Sequence, residues 1–397
     1  MWAGRHVLLG VSGGIASYKS CYLVRRLTEA GASVDVVLTP SAAEFVRPLT
    51  FEALSGRPVL TSLWEPGRAL AHVRAAEPAD LLIVAPATAH LLARASLGLA
   101  DELLTSMLLA RRGPVLFAPA MNDAMYAAQP TQEHIARLRE RGYAFVGPDA
   151  GALAEGASEL PGRMSEPETI LRYAERLLGG GSSFAGKRVV VTAGPTREAI
   201  DPVRLVTNRS SGKMGFRLAE AAWRRGAEVR LITGPSGEPE PAGITLQRIE
   251  TTAELGSAVA AVLPATDVLI MAAAPADYRP AQQLERKNPR GNGRLRLELE
   301  PTEDILLATR ELRKPGSVTV GFALETGDAE SGGRAKLERK QLDLVVINDA
   351  LEPGAGFEVD TNRVLILDRE GGRFVVPFGS KAEVAERILD RIEARLG

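Results

Sequence analysis

Short strand-length runs of apolar residues, each followed by a longer amphipathic stretch, recur along this chain. That alternation is what most constrains its fold. HVLLGV at 6–11, SVDVVL at 33–38, DLLIVA at 80–85 and PVLFA at 114–118 are the first four runs, with a shorter one at 143–146. Runs this apolar suit strands covered on both faces, which implies a parallel sheet sandwiched between helices. Helices are expected at 15–30, 88–111, 131–141 and 166–178. In the first of these, Ile15, Tyr18, Tyr22 and Leu27 recur near helical spacing.

The pattern stops at Gly179-Gly180-Gly181-Ser182-Ser183, a flexible composition. It then restarts with RVVVTA at 188–193, a helix at 213–225 and EVRLIT at 228–233. Buried strands are expected at 267–274, 317–323 and 342–347. At roughly 150 residues per domain, 397 residues predict two or three domains. The expectation is α/β: two doubly wound Rossmann-like domains with largely parallel sheets, at 1–178 and 187–397, joined by a linker at 179–186. The halves rhyme, with AGASVDVVLTPS at 30–41 and RGAEVRLITGPS at 225–236. A helix closed by glycine before a strand is a common turn, so convergence explains the rhyme. A hairpin is expected around Glu370-Gly371-Gly372, then a helix opened by a Ser380/Glu383 capping box. The Pro-, Gly-, Asn- and Arg-rich segment 277–292 interrupts the pattern as an ordered flap.

Composition excludes several classes. The single cysteine, Cys21, rules out an intrachain disulfide and a Cys-rich zinc site. Forty-eight basic and forty-nine acidic residues leave a net charge of −1, which argues against nucleic-acid binding and a polybasic membrane surface. No apolar run approaches the roughly 20 residues of a membrane span, and residues 1–6 lack a signal-peptide core. A cytoplasmic enzyme is expected.

Ser12-Gly13-Gly14-Ile15-Ala16 lies between the first strand and the first helix, where doubly wound folds bind phosphate. It is not GxGxxG. Thr39-Pro40-Ser41 also stands where a dinucleotide site needs an acidic residue. A mononucleotide such as FMN fits better, and a tight structural turn fits equally. Pro86-Ala87-Thr88 and Pro119-Ala120-Met121-Asn122 follow two further strands, at the sheet end where ligands bind. His72 is a lone histidine, more often structural, and His6, His90 and His134 carry no chemical pattern. In the second half, Ser210-Ser211-Gly212-Lys213-Met214 fails as a P-loop, because Thr207 replaces the first glycine and Met214 follows the lysine. A glycine-rich turn opening a helix remains, either an anion site or a plain turn. Lys336 and Lys340 are one helical turn apart and can face the same phosphates, or simply solvent.

Several ordered motifs carry a resemblance. Gly13-Gly14-Ile15-Ala16-Ser17-Tyr18-Lys19, His72, Pro86-Ala87-Thr88-Ala89, Pro119-Ala120-Met121-Asn122 and Gly162-Arg163-Met164 resemble the decarboxylase half of the bifunctional phosphopantothenoylcysteine decarboxylase / phosphopantothenate–cysteine ligase family of coenzyme A synthesis. The stretch 192–215, Ala272-Ala273-Ala274-Pro275-Ala276-Asp277-Tyr278-Arg279, 320–326 and 336–348 resemble the ligase half.

The first half is thus similar to homo-oligomeric flavin-containing cysteine decarboxylases. The resemblance implies FMN against Ser12, Gly13, Gly14, Ile15, Ala16, Ser41, Pro86, Ala87, Thr88 and Met121. FMN would oxidise the substrate thiol and return the electrons after CO₂ leaves. His72 would act as base and Asn122 would hold the substrate carboxylate. For the second half it implies that the 4′-phosphopantothenate carboxylate attacks the α-phosphate of CTP. Pyrophosphate leaves, and cysteine's amine captures the acyl-cytidylate. Asn208 and Arg204 would serve that intermediate. Met271, Ala272, Ala273, Asp277, Thr302, Glu303, Asp304, Ile305, Phe322, Lys336 and Lys340 match nucleotide-contacting positions. Mg²⁺ would ride on the CTP phosphates, with Asp277 as a further ligand.

Two departures stand out. The family's catalytic cysteine is replaced by Glu155 within Gly151-Ala152-Leu153-Ala154-Glu155-Gly156, and a buried carboxylic acid can donate a proton in its place. The family's lysine cluster is reduced to Leu284-Glu285-Arg286-Lys287-Asn288, making Lys287 the candidate catalytic residue and Arg286 the second, the alternative being that neither reaches the substrates. The alternative is a flavin-binding regulatory or ligase-only protein whose first half has lost full activity.

Overall fold

The computed structural model describes residues 2–64, 70–154, 156–179, 181–288, 295–325, 329–349 and 359–396. The chain divides into two compact units, Met1–Leu178 and Gly179–Gly397. No described helix is long and apolar enough to cross a membrane.

The first unit holds five parallel strands, β1 (His6–Val11), β2 (Ser33–Leu38), β3 (Leu81–Ala87), β4 (Val115–Pro119) and β5 (Ala144–Phe145). Their spatial order is β2-β1-β3-β4-β5. The order reverses between β1 and β3, so a crevice opens there at the carboxyl ends of the strands. Both faces are covered, as the apolar runs require. Leu23, Leu27, Phe51 and Ile170 pack on one face. Leu91, Leu104, Leu108 and Ile135 pack on the other. Phe51 is fully buried, and truncating it to alanine would cost roughly 3–5 kcal/mol.

One expectation is corrected. Residues 88–111 form two helices, Ala89–Leu97 and Leu103–Ala110. Gly98 adopts φ +74°, and its N–H closes the first helix on Ala95 O. A left-handed residue ends a helix however apolar its surroundings, and glycine takes that conformation without a Cβ penalty. Glu102 and Thr105 then open the second helix with reciprocal side-chain caps. Beyond β5, an antiparallel hairpin pairs β6 (Asp149–Leu153) with β7 (Gly156–Arg163).

The second unit has a sheet that also reverses beside its first strand. It contains β8 (Arg188–Ala193) and two short paired strands that branch off it, β9 (Arg197–Ala199) and β10 (Leu205–Thr207). Next come β11 (Glu228–Thr233), β12 (Thr245–Arg248), β13 (Val268–Met271), and the pair β14 (Tyr278–Pro280) and β15 (Leu299–Pro301). β16 (Val318–Glu325), β17 (Leu344–Asp349), β18 (Thr361–Asp368) and β19 (Arg373–Ser380) complete it. The main sheet runs β12-β11-β8-β13-β16-β17-β18-β19, parallel except for the last two strands. The helix Lys381–Glu393 opens on the Ser380/Glu383 capping box. The expected flap is partly strand: β14 lies inside it.

Candidate functional site

In the first unit, the chain leaves β1 through Ser12, whose side chain ties two strand ends together. Ser12 Oγ donates to Pro86 O at 2.7 Å and accepts from Thr88 N–H at 3.0 Å. Gly13 then passes under the end of β2. A Cβ there would sit 2.8 Å from the Ser41 carbonyl carbon, closer than packing allows. Among the described residues, none accepts from the backbone N–H of Gly13, Gly14, Ile15 or Ala16. Unclaimed N–H groups just ahead of the helix Ser17–Glu29 form an anion cradle.

A cavity of about 1110 Å³ opens above this turn. Ser12, Gly13, Gly14, Ile15, Ala16, Ser41, Thr88, Met121 and Asn122 line it. Three of the strand-end residues around it cap helices. Thr39 Oγ1 accepts from Ala42 N–H, and Thr88 Oγ1 from Leu91 N–H. Asn122 Oδ1 accepts from Ala124 N–H at 2.9 Å. The Asn122 NH₂ group has no acceptor among the described residues and is free to meet a carboxylate.

Pro86 and Ala87 differ from expectation. They are buried in β3, beneath the cavity rather than on its wall, because successive strand residues point to opposite faces of a sheet whose two faces are both covered. Their contribution is the Pro86 carbonyl that holds Ser12. His72 lies in the helix Ala71–Ala76, and its side chain is outside the described set. Glu155 also lies outside the described residues. The hairpin that flanks it is anchored: Met121 N–H donates to Gly162 O at 3.0 Å, and Ser158 Oγ donates to Asp123 Oδ2 at 2.5 Å.

Three further charged residues stand on the wall: Lys19, Glu166 and Glu102. Lys19 is buried mid-helix, with Nζ donating to Met164 O at 3.0 Å and to Glu166 Oε1 at 2.9 Å. Glu166 also accepts from Arg163, so one carboxylate neutralises two cations at the wall. Glu102 lines the cavity as well, and burial pushes its carboxyl up against the lowering effect of Arg94 and His90. Cys21 is half-buried against the core, and burial raises its thiol. It is not on the cavity wall.

In the second unit, the segment 271–277 follows β13 and is held by hydroxyls. Thr192 Oγ1 accepts from Ala273 N–H at 3.1 Å, and Thr196 Oγ1 from Ala276 N–H at 2.9 Å. Thr302 Oγ1 donates to Ala276 O at 2.6 Å, and Thr302 N–H to Asp277 O at 2.9 Å. Asn208 Nδ2 donates to Pro275 O at 2.9 Å. Asn208, Ala272, Ala273, Asp277 and Thr302 therefore gather at one sheet end, with Asp277 exposed.

Lys340 Nζ pairs with Asp304 Oδ2 at 2.9 Å, and Lys340 N–H closes the last helical turn on Lys336 O. The two lysines do sit one turn apart. Glu303 is exposed, and Phe322 is half-buried in β16. Met271 and Ile305 are core residues, 6% and 5% exposed, since apolar side chains beside a site are drawn into the adjoining core. Arg204 and Lys287 are brought together through Asp201. Arg204 Nη2 donates to Asn288 O at 2.6 Å, beside the exposed Lys287.

Two family models match the chain. A Flavoprotein model covers residues 1–179, and the DNA/pantothenate metabolism flavoprotein C-terminal domain covers 184–396. The coenzyme A biosynthesis bifunctional protein CoaBC of Vibrio cholerae is 44% identical over 398 residues, 99% of each chain. That of Bacillus subtilis is 45% identical over 399 residues, 99% of this chain and 98% of the relative. That of Mycobacterium tuberculosis strain H37Rv is 46% identical over 403 residues, 98% of this chain and 96% of the relative. With likeness of this degree running through both units, the chain belongs to the CoaBC family of bifunctional coenzyme A biosynthesis proteins.

Proposed function

We propose that the second unit joins 4′-phosphopantothenate to cysteine at the expense of CTP, and that the first unit decarboxylates the resulting 4′-phosphopantothenoylcysteine to 4′-phosphopantetheine. The observation that carries this reading is likeness to bifunctional relatives over 96–99% of their length. A ligase-only chain would need no first-unit cavity or cradle, and a flavin-binding regulator would need no free Asn122 amide.

The first cavity fits FMN. Its volume suits a mononucleotide, its glycine turn leaves no room for a Cβ, and its free N–H groups suit a phosphate. Ser12, Gly13, Gly14, Ile15, Ala16, Ser41, Thr88 and Met121 would hold the flavin. When bound, FMN supplies the reversible two-electron chemistry that decarboxylation beside a thiol requires. Asn122 orients the substrate carboxylate with its NH₂ group. His72 takes the substrate's proton, and Glu155 returns one to the product.

In the second unit the protein itself manages charge. The 4′-phosphopantothenate carboxylate attacks the α-phosphate of CTP, two anions that repel. Arg204 and Lys287 offset that repulsion as pyrophosphate leaves. Asn208 holds the acyl-cytidylate while cysteine's amine attacks its carbonyl. Lys336 and Lys340 hold the nucleotide phosphates, with Lys340 giving up Asp304. No group of three metal-ligating side chains occurs among the described residues, so phosphate oxygens and water would be the main ligands of Mg²⁺, with Asp277 beside them. The enzyme works in the cytoplasm as a homo-oligomer, takes small-molecule substrates, and binds neither nucleic acid nor membrane.

The test is a two-step assay with 4′-phosphopantothenate, CTP, Mg²⁺ and cysteine, on flavin-loaded protein. Accumulation of 4′-phosphopantetheine with release of CO₂ is expected. Arrest at 4′-phosphopantothenoylcysteine would refute the first activity. No product at all would refute both.

A further inference from the structure

Asp201 sits where β9 turns back toward β10, and its carboxylate is completely buried. Its two oxygens have different tasks. Oδ1 accepts from Val203 N–H and Arg204 N–H, both at 2.9 Å, which shapes the local turn. Asparagine or serine makes the same kind of turn. Oδ2 does something a turn does not need. It accepts from Arg204 Nε at 2.9 Å and Nη2 at 2.5 Å, and also from Asn288 N–H at 3.3 Å.

Asn288 follows Lys287 directly and lies 87 residues from Asp201 in sequence. The same Arg204 Nη2 donates onward to Asn288 O at 2.6 Å. Leu284 N–H, at the other end of that short loop, donates to Ile200 O at 2.9 Å. Asp201, Arg204 and the loop 284–288 thus form one closed set of bonds. With one edge of the guanidinium committed inward, Arg204 Nη1 has no partner among the described residues and is left for an anionic ligand.

We propose that Asp201 is a positioning residue of the ligase: its buried carboxylate sets Arg204 and the Lys287 loop in one fixed relation before substrates bind. This rests on the ligase reading of the second unit. An ionised carboxylate is required. The hydrogen bonds from Arg204 hold the Asp201 carboxyl far below the usual carboxylate range, against the opposing effect of burial. An asparagine here would keep the turn through its oxygen. It would also turn an NH₂ group toward two existing donors, the guanidinium and the Asn288 N–H. The loop would then drift from Arg204 although the fold survived.

The experiment follows pyrophosphate release from CTP and 4′-phosphopantothenate in the full-length protein. In Asp201→Asn, kcat is expected to fall about 10²-fold, the scale of a small misplacement of reacting groups. KM for CTP stays at its wild-type value, and the protein stays folded with a modestly lowered thermal midpoint, since buried donors lose an acceptor. Decarboxylation of supplied 4′-phosphopantothenoylcysteine also stays unchanged. Because Asp201 acts through Arg204 as well as through the loop, Asp201→Asn combined with Arg204→Gln should lose less than the product of the two single effects. Asp201→Glu keeps the charge on a longer arm and should recover part of kcat. It carries the test if Asp201→Asn does not fold.

Wild-type kcat in either variant overturns the proposal. So does full multiplicative loss in the double variant, within about twofold. Loss of CTP binding in proportion to the loss of folded protein overturns it too, since that marks a purely structural role. If the wild-type protein releases no pyrophosphate, the ligase reading fails instead.

Discussion

The two units solve the same topological problem with connections of very different length. In each, the first strand ends beside the point where strand order reverses, and the end of the second strand lies against the segment that follows it. In each, that contact is close enough to require glycine. Gly13 lies under Ser41 in the first unit, and Gly234 lies against Pro195 in the second, with a Cβ 2.8 Å from the neighbouring carbonyl carbon in both cases. In the first unit, residues 12–16 suffice to reach the helix. In the second, residues 194–212 intervene and carry β9, β10, Asp201, Arg204 and Asn208.

The difference follows from where the chemistry resides. A flavin brings its own reactivity, so the protein need only seat it, and backbone N–H groups do that. Ligation of two anions needs charges supplied by the chain, and a turn of five residues has no room to arrange them.

Six substitutions test this contrast. Glu155→Gln bears on the claim that the first unit still needs an acid of its own. Decarboxylation on flavin-loaded protein is expected to fall about 10²- to 10⁴-fold, with ligation unaffected. Full activity would move the proton-donor role to another acid, with Glu102 the first to examine because burial already favours its protonated form. Lys287→Gln probes the other side. Ligase turnover should drop about 10²- to 10³-fold while CTP still binds, as measured by calorimetry. Unchanged turnover would move the role elsewhere, with Arg286 the next residue to test.

Gly13→Val and Gly234→Val sharpen the comparison directly. Each side chain collides with backbone, at a cost of about 1–3 kcal/mol, or roughly 10- to 10²-fold in affinity. Gly13→Val should lose flavin and keep ligation, and Gly234→Val should do the reverse. Cross-effects would show that the sites are not independent.

The smallest effect concerns the third residue of each second strand. In the first unit this is Asp35, held by His6 and Arg57. Burial raises its carboxyl, but the hydrogen bonds from His6 and Arg57 and the Arg57 charge outweigh that, bringing it down to about 2. The folded value is below the ordinary 3.8, so the stabilisation is complete above that pH and is lost as pH falls through about 2. Asp35→Asn should destabilise the first unit at neutral pH by about 1–2 kcal/mol, after allowance for the exposed Arg57. The gap between variant and wild-type melting curves should close toward pH 2. In the second unit the matching residue is Arg230, whose described partner Gln247 is neutral. Arg230→Gln should show no such closing in acid.

Much of the architecture was visible in the chain because strands buried on both faces leave unbroken apolar runs. The Ser380/Glu383 cap was visible because its partners are three residues apart. The break at Gly98 was not, since Leu97 and Leu99 continue the apolar pattern through it. Within the sites, the glycine turns could be read from composition. The role of Lys19 is hidden in the sequence, because a lysine in mid-helix suggests solvent and its partner Glu166 is 147 residues away. The Asp201–Asn288 contact spans 87 residues of chain. Met271 and Ile305 sit in nucleotide-like motifs, yet the adjoining core claims their side chains.

The helix caps around the first cavity have a consequence for redesign. Thr88 and Asn122 each begin a helix and face the ligand space, so a change at either alters fold stability and binding at once. Variants selected there for a new substrate would carry a hidden folding defect, and activity lost through it would pass for lost recognition. Met121 and Ala152 line the same space without capping any helix. Met121 also packs against the core and stands among the proposed flavin contacts, so a library centred on the exposed Ala152 would explore specificity with the smaller change in scaffold stability.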